Sequence, residues 1–403
     1  MGSNLAHAPI PASGAPVWGH CSGSIIASQG ADDTWSAASD AGTAAHWVGS
    51  TTLEKWQASK RATVPDCAAM LGQVAPNGVV IDEAMIEGAQ VYVDDVTAVV
   101  LAQGGGDLFI EHAVIMPKIH EKNAGTLDAA LVRMWATDHD RRFMTIDIWD
   151  YKHGHRAVSA EGNLQLVDYL TGLMQQYGLN GSHDQFVQFT ARIVQPFAYS
   201  GAGPVSSWTG VMSDLRAHVN KMHEKAEEAY AGPRLSPGKW CRDCPAVMRC
   251  DAAKKYVYAW TDYANSPYVI DSMPLAAMVT EREILADAMG VMKSRLNALD
   301  DVLTHRISDG AAGTGLALQA TSGNNAWTVP VAQAVAIAQQ FGADIAKAGA
   351  LTPTQATQRV PKDLRLQFGE VLKSISARPA GKMKLIRAED SIAAKAFAKP
   401  KEA

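Results

Sequence analysis

The residues with the clearest chemical potential lie in IDIWDYKHG, residues 146–154. Asp150 and Lys152 stand two apart, so along a strand their side chains point the same way, and Asp147 lies on the other face. One reading is an exposed edge-strand ion pair, worth roughly 0–1 kcal/mol. The other is a carboxylate that holds a divalent cation, beside a lysine that steadies an attacking water or the charge on a phosphate. The second reading requires further carboxylates. Asp128 sits in GTLDAAL, in the preceding strand-like run, and Glu111 sits one run earlier, in FIEHAV. Neighbouring carboxylates repel unless a cation lies between them, which is how sites for hard metals are built. His46, in GTAAHWV, offers an imidazole from a helix, the alternative being a packed histidine. Gln165 and Tyr169, four apart in NLQLVDYL, share a helix face from which they could reach a phosphodiester or a base, or form ordinary helix surface.

A second constellation is made of sulfur. Cys241, Cys244 and Cys250 form C-x2-C-x5-C, and Cys21 lies far upstream in WGHCSGSI. Four thiolates suit a [4Fe–4S] cluster or Zn2+, and the spacing of the three leaves both open, with unliganded thiols as the third reading. Cys67 is left over as a loop or core thiol. Five cysteines in a chain without a secretory signal argue for reduced thiols or metal ligands rather than a disulfide framework.

A chain of 403 residues, 47% of them hydrophobic, can bury the cores of two or three domains. Residues 1–20 read as a flexible lead-in, with neither a charged n-region nor an apolar h-region, so a cytoplasmic protein is expected. No run of about 18 apolar residues occurs, so no membrane partner is expected. The net charge of −5 neither advertises nor excludes nucleic-acid binding. Spacing predicts helices over 37–58 and 80–102, then strands over 107–116, 125–136 and 142–151, with a turn at 137–140. A helix over 160–177, a strand over 185–196 and a helix over 207–230 follow. That order predicts an α+β fold, a mixed central sheet flanked by helices. The segment 231–254 is rich in Pro, Gly and Cys and lacks periodicity. Beyond it the sequence predicts a long helix over 270–308, a helical module to 375, and a basic, mobile tail over 376–403 that could touch phosphates.

The order G-T-x-x-H, E, G-x-x-D, D-Y-K-x-G, Q-x-x-x-Y resembles the RecB-type nucleases of the PD-(D/E)XK superfamily over roughly residues 20–255. GTAAH resembles their histidine motif, GTLD their second motif, WDYKHG their D-x-K motif and NLQLVDY their Q-x-x-x-Y motif. The longer stretch DYKHGHRAVSAEGNLQLVDYL, with AWTVPVAQAVAIAQQFG further on, resembles a family of phage and prophage proteins regarded as nuclease-like. The resemblance implies a restriction-endonuclease-like core over 21–255. It implies Mg2+ or Mn2+ held by His46, Asp128, Asp150 and the carbonyl of Tyr151, with Glu111 in support. Lys152 would act on the water and the transition state, and Gln165 and Tyr169 would position the strand being cut. The split of Cys21 from Cys241, Cys244 and Cys250 resembles the iron–sulfur staple of AddB and of CRISPR-associated RecB-like nucleases, which favours a [4Fe–4S] cluster over zinc. The implied activity is a DNA exonuclease serving recombination or repair. Its implied partners are DNA, a single-strand annealing protein and further copies of itself. A non-catalytic nucleic-acid-binding scaffold and a CRISPR-associated end-processing enzyme are the alternatives.

Overall fold

Alternating apolar residues in RFMTIDIWDY make Arg142–Tyr151 a central strand, β4, of a six-stranded mixed sheet. The computed structural model describes residues 8–30, 37–136, 142–198, 203–264, 274–311, 313, 315–322, 325–345, 351–378, 380–392 and 394. The expected turn at 137–140, the first seven residues and the last nine lie outside them. The chain divides into two compact units, Met1–Arg295 and Leu296–Ala403.

In the first unit, two short helices, α1 (Ala15–Trp18) and α2 (Gly23–Ala27), follow strand β1 (Ile10–Pro11). Helices α3 (Ala37–Ala58) and α4 (Glu83–Ala102) precede strands β2 (Asp107–Ile115) and β3 (Asn123–Ala136). After β4 come helix α5 (Leu164–Gln176), strands β5 (Val187–Val194) and β6 (Val205–Val211), and helices α6 (Arg216–Ala231) and α7 (Asp251–Ala264). β3 pairs antiparallel with β2 and β4, β4 runs parallel to β5 with α5 as the crossover, and β6 closes the far edge antiparallel to β5. The period of two sorts β4 cleanly. Ile146 and Ile148 pack into the core formed with α5 and α6, whereas Trp149 and Tyr151 pack into the core formed with α3 and α4. The mixed sheet flanked by helices is the fold class expected.

Two expectations need correction here. The helix read over 207–230 begins later, because VSSWTGV is rich in β-branched and aromatic residues and pairs with β5, with Thr209 opposite Thr190. Residues 10–18 are not a free lead-in. β4 ends short of the start of β3, and β1 pairs with β3 at Ile10↔Asn123 and Pro11↔Ala124. Ile10, Ala12, Ala15 and Trp18 are buried in the same core as α5.

That junction holds a buried acid. Asn123 Nδ2 donates to Asp168 Oδ1 at 2.7 Å, while Asn123 Oδ1 and Asp168 Oδ2 are buried without partners. Burial pushes Asp168 well above the usual carboxylate range, outweighing the Asn123 hydrogen bond. A proton on Asp168 supplies the donor that both orphaned oxygens lack. Because the folded state then holds a proton that the unfolded chain releases near pH 4, stability falls as pH rises toward the folded pKa. Asp168→Asn carries its own amide donor and should gain stability over wild type progressively from pH 5 to pH 8. Urea midpoints across that range measure the difference.

The second unit is not purely helical. Helix α8 (Leu275–Ser308) begins in the first unit and crosses the boundary at Arg295, and strands β7 (Leu316–Ser322) and β8 (Ala326–Trp327) follow it. Helices α9 (Val331–Gln340), α10 (Pro353–Arg359) and α11 (Arg365–Ile375) then lead to β9 (Ser376–Ala377) and β10 (Ala380–Arg387). β10 pairs antiparallel with β7, so the start of the expected basic tail is strand. Phe368, Ile345 and Val360 centre this unit's own core.

Candidate metal centre and cysteine pocket

Strand register brings the three acids into one row. Pairs Ile110↔Ala129 and His112↔Leu127 put Glu111 opposite Asp128. Continuing the β3–β4 register one step beyond Ala129↔Trp149 puts Asp128 opposite Asp150. The row lies at the carboxyl end of β4, where the regular ladder stops. There Asp128 Oδ2 accepts the Tyr151 backbone N–H at 2.7 Å. α3 delivers His46, whose Nδ1 lies 3.5 Å from Asp128 Oδ2. Ligand atoms of His46, Glu111 and Asp128 all fall within 4.8 Å of one another.

Asp150 faces α5 and is only 3% exposed. Both its oxygens lie 2.9 Å from Lys152 Nζ, but only Oδ1 is aligned for a hydrogen bond, and Oδ2 is left without one. Gln165 Nε2 also donates to Oδ1, at 3.1 Å. Gln165 therefore grips the acid. Tyr169 is buried, and its hydroxyl donates to the Thr126 carbonyl at 2.7 Å, two residues before Asp128. Tyr169 thus braces the GTLD strand. α5 begins at Asn163, whose side chain accepts the Gln165 and Leu166 N–H groups, and this cap fixes the helix end that carries Gln165. Sequence reading missed Gln195. Its buried amide donates to the Gly154 and Arg156 carbonyls and accepts from Val158 N, which pins the loop after Lys152. A glutamine at the end of a strand carries no sequence signal for that task.

The charges of the row are unevenly shared. Burial pushes Asp128 up, but His46, Lys152 and the Tyr151 amide outweigh it and hold the carboxyl below its usual range. Asp150 goes the other way, raised by burial and by Asp128 against the pull of Lys152. Burial lowers Lys152 and His46, yet the two acids raise Lys152 and Asp128 raises His46, so both end above their usual values. Burial and Asp128 push Glu111 up to about 7, although its side chain reaches solvent. Three carboxyls in one row are short of positive charge, and imidazole with carboxylate oxygen is a donor set that divalent cations accept. The residues present fit such an ion.

Glu111 also sits at φ +45°, in the left-handed region that side chains other than glycine's avoid. Strain of this kind persists where a site needs it. Glu111→Gly should raise the stability of the metal-free protein by up to about 1 kcal/mol. The same change should weaken Mn2+ binding. A urea midpoint and an Mn2+ titration give the two opposite signs.

All four cysteines of the second constellation line one pocket, together with Val17 and Trp240. The chain around Gly23 meets the chain around Arg234 there. Gly23 N donates to the Arg234 carbonyl at 2.9 Å, and Arg234 N donates to Ser22 Oγ at 3.1 Å. A Cβ on Gly23 would stand 2.9 Å from that carbonyl, so the approach requires glycine. Each sulfur faces a backbone donor. Ser236 N reaches Cys21 Sγ at 3.3 Å, Gly238 N reaches Cys241 Sγ at 3.4 Å and Ala253 N reaches Cys250 Sγ at 3.4 Å. The Ala246 amide serves Cys244. Burial, with the neighbouring sulfurs, pushes Cys241 up to about 11. Among the described residues no three of these sulfurs lie within 4.8 Å of one another. Cys67 is apart, fully buried among α3 and α4, as a core thiol. Arg156, in the loop after Lys152, forms a two-pronged pair with Asp243 between the cysteines, at 2.7 and 3.1 Å.

Among the described residues no helix is long and apolar enough to cross a membrane. No curated protein matches the sequence. One family profile, described as "Protein of unknown function (DUF2800)", matches residues 7–392, nearly the whole chain, and the chain belongs to that family.

Proposed function

We propose that this protein is a divalent-metal-dependent DNA nuclease of the RecB-like kind, with a [4Fe–4S] cluster at its cysteine pocket. The observation that carries the nuclease reading is the row Glu111–Asp128–Asp150, with His46 on one end acid's neighbour and Lys152 on Asp150. His46, Glu111, Asp128, Asp150 and the Tyr151 carbonyl would hold the ion. A bound Mg2+ or Mn2+ supplies Lewis acidity and a more acidic water. Asp128 keeps its negative charge because His46 and the Tyr151 amide favour it. Lys152 pairs with Asp150 in the absence of the ion, and once Asp150 holds the ion the Lys152 ammonium would be released to orient the attacking water and to stabilise charge on the phosphate. Gln165 keeps Asp150 in place and Tyr169 keeps the Asp128 strand in place.

The cluster reading rests on the four sulfurs' shared pocket, their backbone N–H donors and the resemblance of the split between Cys21 and the other three to the RecB-like iron–sulfur staple. Activity at DNA ends, a recombination role and an annealing partner follow from the same kinship.

The test is a cleavage time course on linear duplex and single-stranded DNA labelled at either end, with Mg2+, Mn2+ or EDTA. Metal-dependent shortening from a labelled end supports the exonuclease. Metal-dependent internal cuts keep the nuclease and remove the end preference. Binding without cleavage under every condition would favour the scaffold.

A further inference from the structure

Tyr92, on α4, is the buried polar group beside the acidic row that no interaction so far explains. Its side chain is 2% exposed, and its hydroxyl has no hydrogen-bond partner. Buried tyrosine hydroxyls ordinarily find a partner. The neighbouring Tyr151 has one, His153 Nδ1 at 3.1 Å. The Tyr92 ring is tightly set. It stacks on Tyr151 at 5.3 Å between centroids and 13° between planes. Across from it α3 carries Gly49, where a Cβ would meet the ring at 2.8 Å. The hydroxyl lies within the field of Asp128, Glu111 and Asp150, whose charges add to burial in holding its proton on. Yet it bonds to none of them. A polar gap wider than a direct hydrogen bond is where a bridging water belongs. Hard divalent cations keep such waters, Mg2+ above all.

We propose that the Tyr92 hydroxyl completes the acidic centre, donating its hydrogen bond to a hydrating water of the divalent cation held by His46, Glu111 and Asp128. The inference rests on the metal reading given under Proposed function. Tyr92 is then a positioning residue, acting on the ion's water shell and so on how the ion is held. It also accounts for a phenol where phenylalanine would pack equally well.

Tyr92→Phe removes the oxygen and keeps the ring. Mn2+ binding to the purified full chain, followed by the loss of the free-ion EPR signal, is compared with the melting temperature of the metal-free protein. Loss of a group that orients a metal's ligands typically lowers affinity 10- to 100-fold. The expected result is a fall of about tenfold in Mn2+ affinity. The metal-free melting temperature should hold or rise, because an unsatisfied buried hydroxyl has gone. An unchanged affinity, in a titration where Asp128→Asn abolishes binding, overturns the role of Tyr92 and leaves the metal centre standing. A fall in affinity matched by a fall in metal-free melting temperature assigns Tyr92 to packing and also overturns it. If Asp128→Asn leaves Mn2+ binding unchanged, the metal centre itself fails and takes this inference with it.

Discussion

Asp150→Asn is expected to slow metal-dependent DNA cleavage about 1,000-fold, the scale seen when one preorganised charge is removed from a reacting site. The fold should survive. Asp150 is buried, burial already disfavours its charge, and asparagine has the same shape. Gln165 and Lys152, its two hydrogen-bond donors, retain an amide oxygen to reach. The companion variant, Lys152→Ala, should cost cleavage on a similar scale with a different signature. Asp150→Asn removes a ligand and should weaken Mn2+ binding together with the rate. Lys152→Ala removes the ammonium that competes for Asp150, so Mn2+ should bind as tightly or more tightly while the rate falls. Single-turnover rates and Mn2+ titrations on both variants separate the roles. Either variant cleaving at the wild-type rate would sink the assignment.

Cys21→Ser is expected to lower the melting temperature by roughly 10 °C and to strip iron and labile sulfide from protein purified without oxygen. A metal site formed only in the folded chain contributes its binding energy to folding. Cys21 matters most among the four because it bridges the largest loop, facing Ser236 more than two hundred positions away. Cys67→Ser is the matched control, since Cys67 packs in the other core and should change stability without changing iron content. One zinc per chain with no iron would replace the cluster by a structural zinc. Cleavage should weaken in Cys21→Ser as well, because the Arg156–Asp243 pair ties the loop after Lys152 to the cysteine segment.

The sequence by itself determined the local elements and the composition of both sites. Periodicity is a local property, so the helix Ala37–Ala58 and the strand Arg142–Tyr151 were legible, as was the sharing of a face by Asp150 and Lys152. The candidate acids and cysteines were legible as residue types at suggestive spacing. Only the tertiary structure decided how they meet. Strand register, a long-range pairing, set Glu111, Asp128 and Asp150 in one row. The same pairing turned VSSWTGV into an edge strand and drew Ile10 and Trp18 into the core, where a local reading saw a helix and a loose end. It also turned Gln165 and Tyr169 inward, because a helix face shows its spacing in sequence but not what lies opposite. Gln195 and Tyr92 had no signal at all. Their importance comes from what burial leaves their polar atoms facing, and burial exists only once the chain has folded.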